Sequence, residues 1–261
     1  MTDPTAAIRS YTAAAAGPSE EALAALAPHL SDDASFVGPF GAGSGRDAVL
    51  KALTAPRAAM LAQATWSDPR VEGDVVVVQA RLPAGMRLAG IDSTVWLDDA
   101  GRITRIVQEM VPAPAPPATD LVLTDDIKAA VDGAFVNGTP VVVAYVDAHG
   151  APHLSLRGSA QAYSDTQLAL WIRDPGGGLL KAIATNPELA LFYRDSAKGT
   201  TYQFAGRARA ATDPAVVETV YTNTAELERN MDPFRRGVAV VVDLDRVEGL
   251  GPGGRVRMER G

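Results

Sequence analysis

The chain has 261 residues, 47% of them hydrophobic and 21% charged, which is a globular balance and enough for one large or two ordinary domains. Its net charge of −7 argues against a basic nucleic-acid-binding surface, and the lack of cysteine excludes disulfides, thiolate metal ligands and cysteine nucleophiles. Neither an apolar run of about 18 residues nor a signal-peptide pattern occurs, so we expect a cytoplasmic protein without a membrane partner.

The first half of the chain begins with helices. The pattern EEALAALAPHL places Leu23, Leu26 and Leu30 on one helical face, after a Pro-Ser start signal. A short strand and a Gly/Pro loop lead to a second helix, which begins near residues 45–47. The later segments have strand patterns, and the residues from Asp98 to Gly101 predict a hairpin between two of them. Helices followed by antiparallel strands indicate an α+β fold.

A proline-rich segment divides the chain. The sequence VPAPAPPATD at residues 111–120 alternates proline with alanine, which favours an extended polyproline II spacer and excludes a helix. We therefore predict a domain at residues 1–111, a linker at residues 112–120 and a second domain at residues 121–261.

The second half begins with a predicted helix, for which Thr124 is the expected N-cap and Asp125 and Asp126 lie in the first turn. Short strands follow, interrupted by a Gly-rich turn at residues 176–178 with a helix after it. Pro214 suits the first position of a later helix. Several short antiparallel strands with one or two interposed helices indicate a small closed or split barrel.

Three cations lie around the Gly-rich turn. Arg157 ends one strand, Arg173 ends the strand before the glycines, and Lys181 lies in the first turn or two of the helix after them. Such a turn suits a phosphate, because N–H groups at a helix start point at the anion and arginine can make two parallel bonds to it. The alternative is a flexible corner with solvated arginines, since the turn matches neither a Walker A loop nor G-x-G-x-x-G.

The second half resembles a known flavoprotein group. The motifs PVVVAYVDAHGAPHLSLRG, LALWIRD, LLKAIATNPELALFYRD and YQFAGRARAATDP, in this order, resemble the pyridoxamine 5′-phosphate oxidase-like flavin-binding split barrels over about residues 124–260. The group includes flavin and deazaflavin oxidoreductases. The resemblance implies a split β-barrel that forms a homodimer, with the flavin in the groove between the subunits. It implies FMN as cofactor, with F420 as the alternative.

The same resemblance assigns site residues by position. It gives phosphate binding to Arg157, Arg173 and Lys181, and it places Trp171 near the flavin ring. Neighbours of Arg157 on the same strand, namely Ser155 and Gly158, complete the cofactor-binding set. One departure from the group concerns the hydroxyl residue that often precedes the helix lysine, since leucines stand in both places here.

The first half resembles another family. The stretch LAPHLSDDASFVGPFGAGSGRDAVLKAL resembles the SnoaL-like branch of the cone-shaped, nuclear-transport-factor-2-like (NTF2-like) domains, over about residues 3–111. That α+β cone hosts isomerases, cyclases, dehydratases and binding modules, so the resemblance says little about function. Active members hold a carboxylate or histidine inside the cone.

Asp92 is the candidate acid or base of the cone. Strand alternation places Asp92, Thr94 and Trp96 on one face, which is equally compatible with the interior and with solvent. Buried without a partner, Asp92 would have the raised pKa that a general base needs. The candidate pocket walls are Tyr11, Trp66 and Met86.

These observations predict an FMN-dependent or F420-dependent oxidoreductase that acts on a small organic substrate, with the cone as a fused pocket domain. Two alternatives stay open: a non-catalytic flavin- or ligand-binding protein, and a cyclase or isomerase acting in the cone. With three histidines and no cysteine, we expect no dedicated transition-metal site.

Overall fold

The computed structural model describes residues 4–261. Contacts divide these residues into two compact units, the first ending at Pro114 and the second spanning Ala115–Gly261. Each unit combines helices with one mixed β-sheet, so the chain has the expected α+β class.

In the first unit most of the helical structure precedes the sheet. Its helices are α1 (Pro4–Ala16), α2 (Glu20–Leu26) and α3 (Arg46–Leu53), with 3-10 helices at Ala27–His29 and Pro56–Gln63. Its strands are β1 (Leu30–Gly38), β2 (Gly41–Ser44), β3 (Thr65–Trp66), β4 (Arg70–Glu72), β5 (Val75–Arg81), β6 (Leu88–Leu97) and β7 (Ile103–Pro112).

Local signals set the start of α2 and the β6–β7 hairpin as predicted. Ser19 caps α2, because its Oγ accepts a hydrogen bond from the Ala22 N–H. The Asp98 N–H donates to the Arg102 carbonyl at 2.8 Å within the predicted hairpin. The helical assignment of Leu30 was wrong: α2 ends before a 3-10 turn that contains Pro28, and Leu30 is the first residue of β1.

The sheet of the first unit has the strand order β2-β1-β7-β6-β5-β3, with β4 also paired to β5. Strands β1 and β7 are parallel, and the other pairs are antiparallel. The burial of β6 alternates, so that Ile91, Ser93 and Val95 face the core. This alternation decides which side chains of β6 reach the interior.

The second unit contains four helices and nine strands among the described residues. Its helices are α4 (Asp125–Asp132), α5 (Gly178–Ile183), α6 (Pro214–Asn223) and α7 (Glu226–Asn230). Its strands are β8 (Thr119–Asp120), β9 (Val141–Val146), β10 (Pro152–Arg157), β11 (Gln161–Ala162), β12 (Gln167–Ile172), β13 (Glu188–Asp195), β14 (Thr200–Ala210), β15 (Val238–Gly251) and β16 (Gly254–Glu259).

The main path of this second sheet has the order β10-β9-β13-β14-β15-β12-β11, and β16 pairs with both β15 and β8. Its end strands β10 and β11 are not hydrogen-bonded to each other, so the sheet does not close into a barrel. Residues 119–120 of the predicted linker form β8, and β7 extends to Pro112. Regular structure is therefore absent only from residues 113–118 of that segment.

Two predicted helix starts in the second unit have different outcomes. Asp213 caps α6 by accepting a hydrogen bond from the Ala215 N–H at 2.8 Å, and Pro214 is the first helical residue as predicted. Thr124 does precede α4, but its side chain makes no capping hydrogen bond. Acidic residues fill the first turn of α4, where the helix dipole favours negative charge.

Candidate functional site

A cavity of about 440 Å³ in the second unit gathers residues from β10, β12, the Gly-rich turn and α7. Its lining includes both predicted arginines, Arg157 and Arg173. The other lining residues are Tyr145, Leu156, Gly158, Ser159, Trp171, Ile172, Asp174, Gly177, Gly178, Leu179 and Glu228. The volume lies within the range of small-molecule sites.

Arg157 has an unused hydrogen-bond donor in this cavity. It is the last residue of β10, opposite Val141, and its side chain is half-buried. Its Nε is buried and has no hydrogen-bond partner, and no residue within 4–261 forms an ion pair with it. A buried donor without a partner costs about 1–3 kcal/mol. The Arg157 guanidinium is therefore available to an anion.

Arg173 already has partners inside the protein. It follows β12 directly, and its Nε lies 3.4 Å from Glu228 Oε2. Its Nη1 lies 3.0 Å from the Met231 sulfur. Since the side chain is 46% exposed, the guanidinium can still reach a ligand at the mouth of the cavity.

The Gly-rich turn does not offer all of its N–H groups to a ligand. The Gly176 N–H donates to Asp174 Oδ1 at 2.9 Å, and the Gly177 N–H donates to the Asp174 carbonyl at 3.1 Å. The prediction that the N–H groups of this turn bind an anion is therefore wrong for Gly176 and Gly177, because Asp174 already accepts a hydrogen bond from each of them. Gly178 instead permits a close approach, since a Cβ there would lie 2.9 Å from the Tyr145 hydroxyl.

Lys181 does not join the two arginines. Helix α5 has only six residues, and Lys181 is the fourth of them, within the first two turns as predicted. The buried face of α5 consists of Leu179, Ala182 and Ile183. Lys181 is exposed and does not line the cavity. The expectation of three cations around one turn therefore reduces to two.

Ser155 and Trp171 take structural positions. Ser155 lies two residues before Arg157 on β10, yet it does not line the cavity, and its Oγ is buried without a partner. Trp171 does line the cavity, but it is 2% exposed and its indole N–H donates to Asp232 at 3.0 Å. Its ring packs edge-on against Tyr221. This packing leaves Trp171 as a wall rather than a stacking partner for a flavin ring.

Gly158 and Glu228 are in close contact at the cavity. A Cβ at position 158 would lie 2.5 Å from Glu228 Oε1 and 2.5 Å from a ring carbon of Phe135. Only glycine fits there without a shift of its neighbours. Gly158 therefore makes room for the carboxylate of Glu228.

Glu228 and Tyr145 are cavity residues that were not predicted from the sequence. Glu228 belongs to α7, where the pattern TAELERN is typical of a solvated helix, but tertiary contacts, among them those with Gly158 and Arg173, bury it. Tyr145 stacks on His153 with ring centroids 5.0 Å apart, and His153 Nε2 lies 2.8 Å from Asp147. Hydrogen bonds from His153 and from two backbone N–H groups lower the pKa of Asp147 to about 2.

In the first unit the structure contradicts the inward position of Asp92. It faces away from the buried side of β6, and its carboxylate contacts Arg81 Nη1 at 2.5 Å and Gln79 Nε2 at 3.1 Å. A half-exposed, paired carboxylate is not the unpartnered acid that the general-base hypothesis requires.

Tyr11 is instead a buried side chain of the first unit with a polar group, and it contacts two other buried polar side chains. Its hydroxyl lies 2.9 Å from Ser93 Oγ and accepts a hydrogen bond from Gln108 Nε2 at 2.8 Å. Burial raises the pKa of Tyr11, and the two hydrogen bonds offset this only in part. Trp66 contacts the Tyr11 ring edge-on, whereas Met86 lies in the β5–β6 loop outside this core.

An apolar groove of about 290 Å³ lies on the second sheet, across β9, β10, β13, β14 and β15. Val142, Ala144, Leu154, Phe192 and Ala205 belong to its apolar lining. Leu154 is 74% exposed, and its neighbour on β10, Leu156, is 64% exposed. This face of the edge strand is therefore strongly apolar and open to solvent.

Two classes of site have no counterpart in the part of the chain described here. No group of three or more His, Cys, Asp or Glu side chains within residues 4–261 is arranged to hold a metal ion. None of the helices in that range is long and apolar enough to cross a membrane.

Comparison with known proteins gives neighbours in structure only. No protein-family model and no curated protein matches the chain. HupZ of Group A Streptococcus is 19% identical, with a TM-score of 0.42 over 51% of this chain and 98% of HupZ. A Clostridium acetobutylicum protein of the pyridoxinephosphate oxidase family, related to general stress protein 26, is 12% identical, with a TM-score of 0.39 over 52% of this chain and 96% of its own.

A SnoaL-like protein from Agrobacterium tumefaciens, described as an isomerase, is also similar. It is 22% identical, with a TM-score of 0.34 over 40% of this chain and 93% of its own. The neighbours therefore include both classes that the sequence resembles, and the three matches span 51%, 52% and 40% of the chain.

Proposed function

We propose that the second unit binds the phosphate end of a flavin, FMN, and that the protein is an oxidoreductase acting on a small organic substrate. One observation carries the proposal: Arg157 and Arg173 line the same cavity, and no residue within 4–261 forms an ion pair with Arg157. Paired arginines are well suited to phosphate oxygens, because each guanidinium presents donors in a planar fork.

The residues present fit an anionic group at this place. Arg157 and Arg173 would hold the phosphate, and Gly158 and Gly178 let the Glu228 carboxylate and the Tyr145 hydroxyl approach the backbone at the cavity. The leucines before Lys181 and the occupied N–H groups of the Gly-rich turn leave the arginines as the main donors. F420 carries a phosphate as well, and the same two arginines would serve it.

FMN supplies hydride transfer when it is bound, so the protein's task is to bind and orient. Arg157 and Arg173 fix the phosphate end, which restricts where the ring can lie. The Tyr145 hydroxyl lies at the cavity wall beside Gly178 and can hydrogen-bond a ligand there. Parallel stacking on His153 holds the Tyr145 ring in place.

We further propose that the open second sheet is a split barrel that pairs with a second copy of the chain. The apolar groove and the exposed Leu154 and Leu156 support this, because a large exposed apolar face on an edge strand is typical of a protein–protein interface. Leu156 also lines the arginine cavity, so a partner seated on this face would border the ligand. Sedimentation of the intact protein tests the dimer, and a monomer at high concentration would contradict it.

We also propose that the first unit, a cone-like domain over residues 1–111, binds a small molecule. Gln108 Oε1 and Trp66 Nε1 are buried without hydrogen-bond partners, and each belongs to a side chain that contacts Tyr11. An unfilled acceptor and an unfilled donor on two side chains that contact Tyr11 favour a neutral polar ligand.

Titration of the purified protein with FMN tests the main proposal. Binding should quench flavin fluorescence with saturation at one FMN per chain, and a protein that fails to take up either FMN or F420 would contradict it. Protein that binds FMN but cannot transfer electrons from the reduced cofactor to any acceptor would be the non-catalytic flavin-binding alternative.

A further inference from the structure

The carboxylate of Glu228 has unfilled acceptor capacity inside the arginine cavity. Its side chain is 11% exposed and lines the cavity, and its one charged neighbour within residues 4–261 is Arg173. That contact measures 3.4 Å, longer than the roughly 2.7–2.9 Å of a charge-assisted hydrogen bond. A carboxylate has about four lone-pair positions, so Glu228 can accept further hydrogen bonds.

The fold holds this carboxylate at the cavity. Gly158 provides the space that Glu228 Oε1 occupies, since a Cβ there would come within 2.5 Å of that oxygen. The neighbouring segment is anchored by Asp232, which accepts hydrogen bonds from the N–H groups of Arg236 and Gly237 and from the Trp171 indole. Glu228 is therefore a fixed acceptor rather than a mobile surface acid.

The cavity thus presents two complementary polar groups: the Arg157 guanidinium, which has no ion-pair partner within residues 4–261, and Glu228 with unused acceptors. A bare phosphate would satisfy Arg157 but would place negative charge beside Glu228, which is unfavourable. A ligand that carries an anionic group and a hydroxyl nearby satisfies both residues at once, because the hydroxyl donates to the carboxylate.

We propose that Glu228 is a specificity-determining residue, which accepts a hydrogen bond from a hydroxyl of the chain that joins the anionic group of the ligand to its ring. The ligand class is then a phosphorylated polyol attached to a ring. The inference rests on the proposed binding of FMN, whose ribityl chain is such a polyol. It adds a residue that binds the polyol, whereas the arginines bind the phosphate.

A chemical double-mutant cycle tests this role. The probes are FMN and three analogues that each lack one ribityl hydroxyl, namely 2′-, 3′- and 4′-deoxy-FMN, titrated against the intact wild-type protein and Glu228→Leu. A hydrogen bond to a charged acceptor corresponds to a factor of about 10 or more in affinity. At least one analogue should therefore bind wild type about tenfold more weakly than FMN, and Glu228→Leu should bind that analogue and FMN within twofold.

Two further variants serve as controls for the role of Glu228. Glu226→Leu removes an exposed carboxylate from the same helix, so it should keep the full wild-type discrimination. Glu228→Gln keeps the shape and a neutral acceptor, and its discrimination should fall between wild type and Glu228→Leu.

The outcomes separate the two proposals. Wild type that does not bind FMN would overturn the proposed function itself. Wild type that binds FMN and all three analogues alike would overturn only the role of Glu228. The same conclusion would follow if Glu228→Leu bound FMN more tightly and still discriminated against the deoxy analogue, since Glu228 would then be a counter-ion of Arg173 alone.

Discussion

Replacing Arg157 by methionine should weaken FMN binding and stabilise the free protein. Methionine is as long as the arginine side chain up to Nε and keeps the apolar contacts of the stem, but it removes the charge and the buried Nε that has no partner. A lost charge-assisted hydrogen bond of about 1.5–3 kcal/mol corresponds to roughly 10- to 150-fold weaker FMN binding. Removal of the unpaired donor should raise the free energy of unfolding by about 1 kcal/mol, the low end of the range for a buried polar group, because the side chain is only half-buried.

Two measurements on one preparation test this prediction. Fluorescence titration gives the affinity for FMN, and urea denaturation without FMN gives the stability of the second unit. Arg194→Met removes an exposed arginine of β13 and serves as the matched control, with both quantities unchanged. Arg157→Met that binds FMN within twofold of wild type, or that unfolds more easily without ligand, would refute the reasoning.

Three other substitutions have defined outcomes. Gly158→Ala should push Glu228 out of the cavity and lower the affinity for FMN about tenfold or more, as a titration would show, and an unchanged affinity would contradict the contact. Tyr11→Phe should lower the free energy of unfolding of the first unit by about 1–3 kcal/mol in urea, because its two buried partners lose a hydrogen bond. The low pKa of Asp147 contributes stability above pH 4 that is lost as the pH falls towards 2, so Asp147→Asn should show a shallower loss of stability over that interval.

The sequence predicted those helix starts and turns whose geometry is determined by residues adjacent in the chain. Ser19 and Asp213 mark helix starts through their own side chains, and the segment from Asp98 to Gly101 forms a turn without help from distant parts of the chain. Leu30 fits both a helical and a strand pattern, and the proline two residues earlier decided between them.

The site was predicted only in part, because side-chain direction depends on tertiary packing. Arg157 and Arg173 reach one cavity because β10 and β12 end on the same side of it. Lys181 lies outside the cavity lining, and Asp92 takes the outward of its two alternatives, since apolar neighbours set the buried faces of α5 and β6. Glu228 could not be found from the sequence, because its burial depends on a glycine 70 positions earlier.

The affinity of the wild-type protein for FMN compared with riboflavin tests the central claim most directly. The two ligands share the ring and the ribityl chain and differ only in the phosphate, which is the group assigned to Arg157 and Arg173. FMN should bind at least about tenfold more tightly, because each arginine contributes a charge-assisted hydrogen bond. Equal affinities for the two ligands, or the absence of FMN binding, would contradict it.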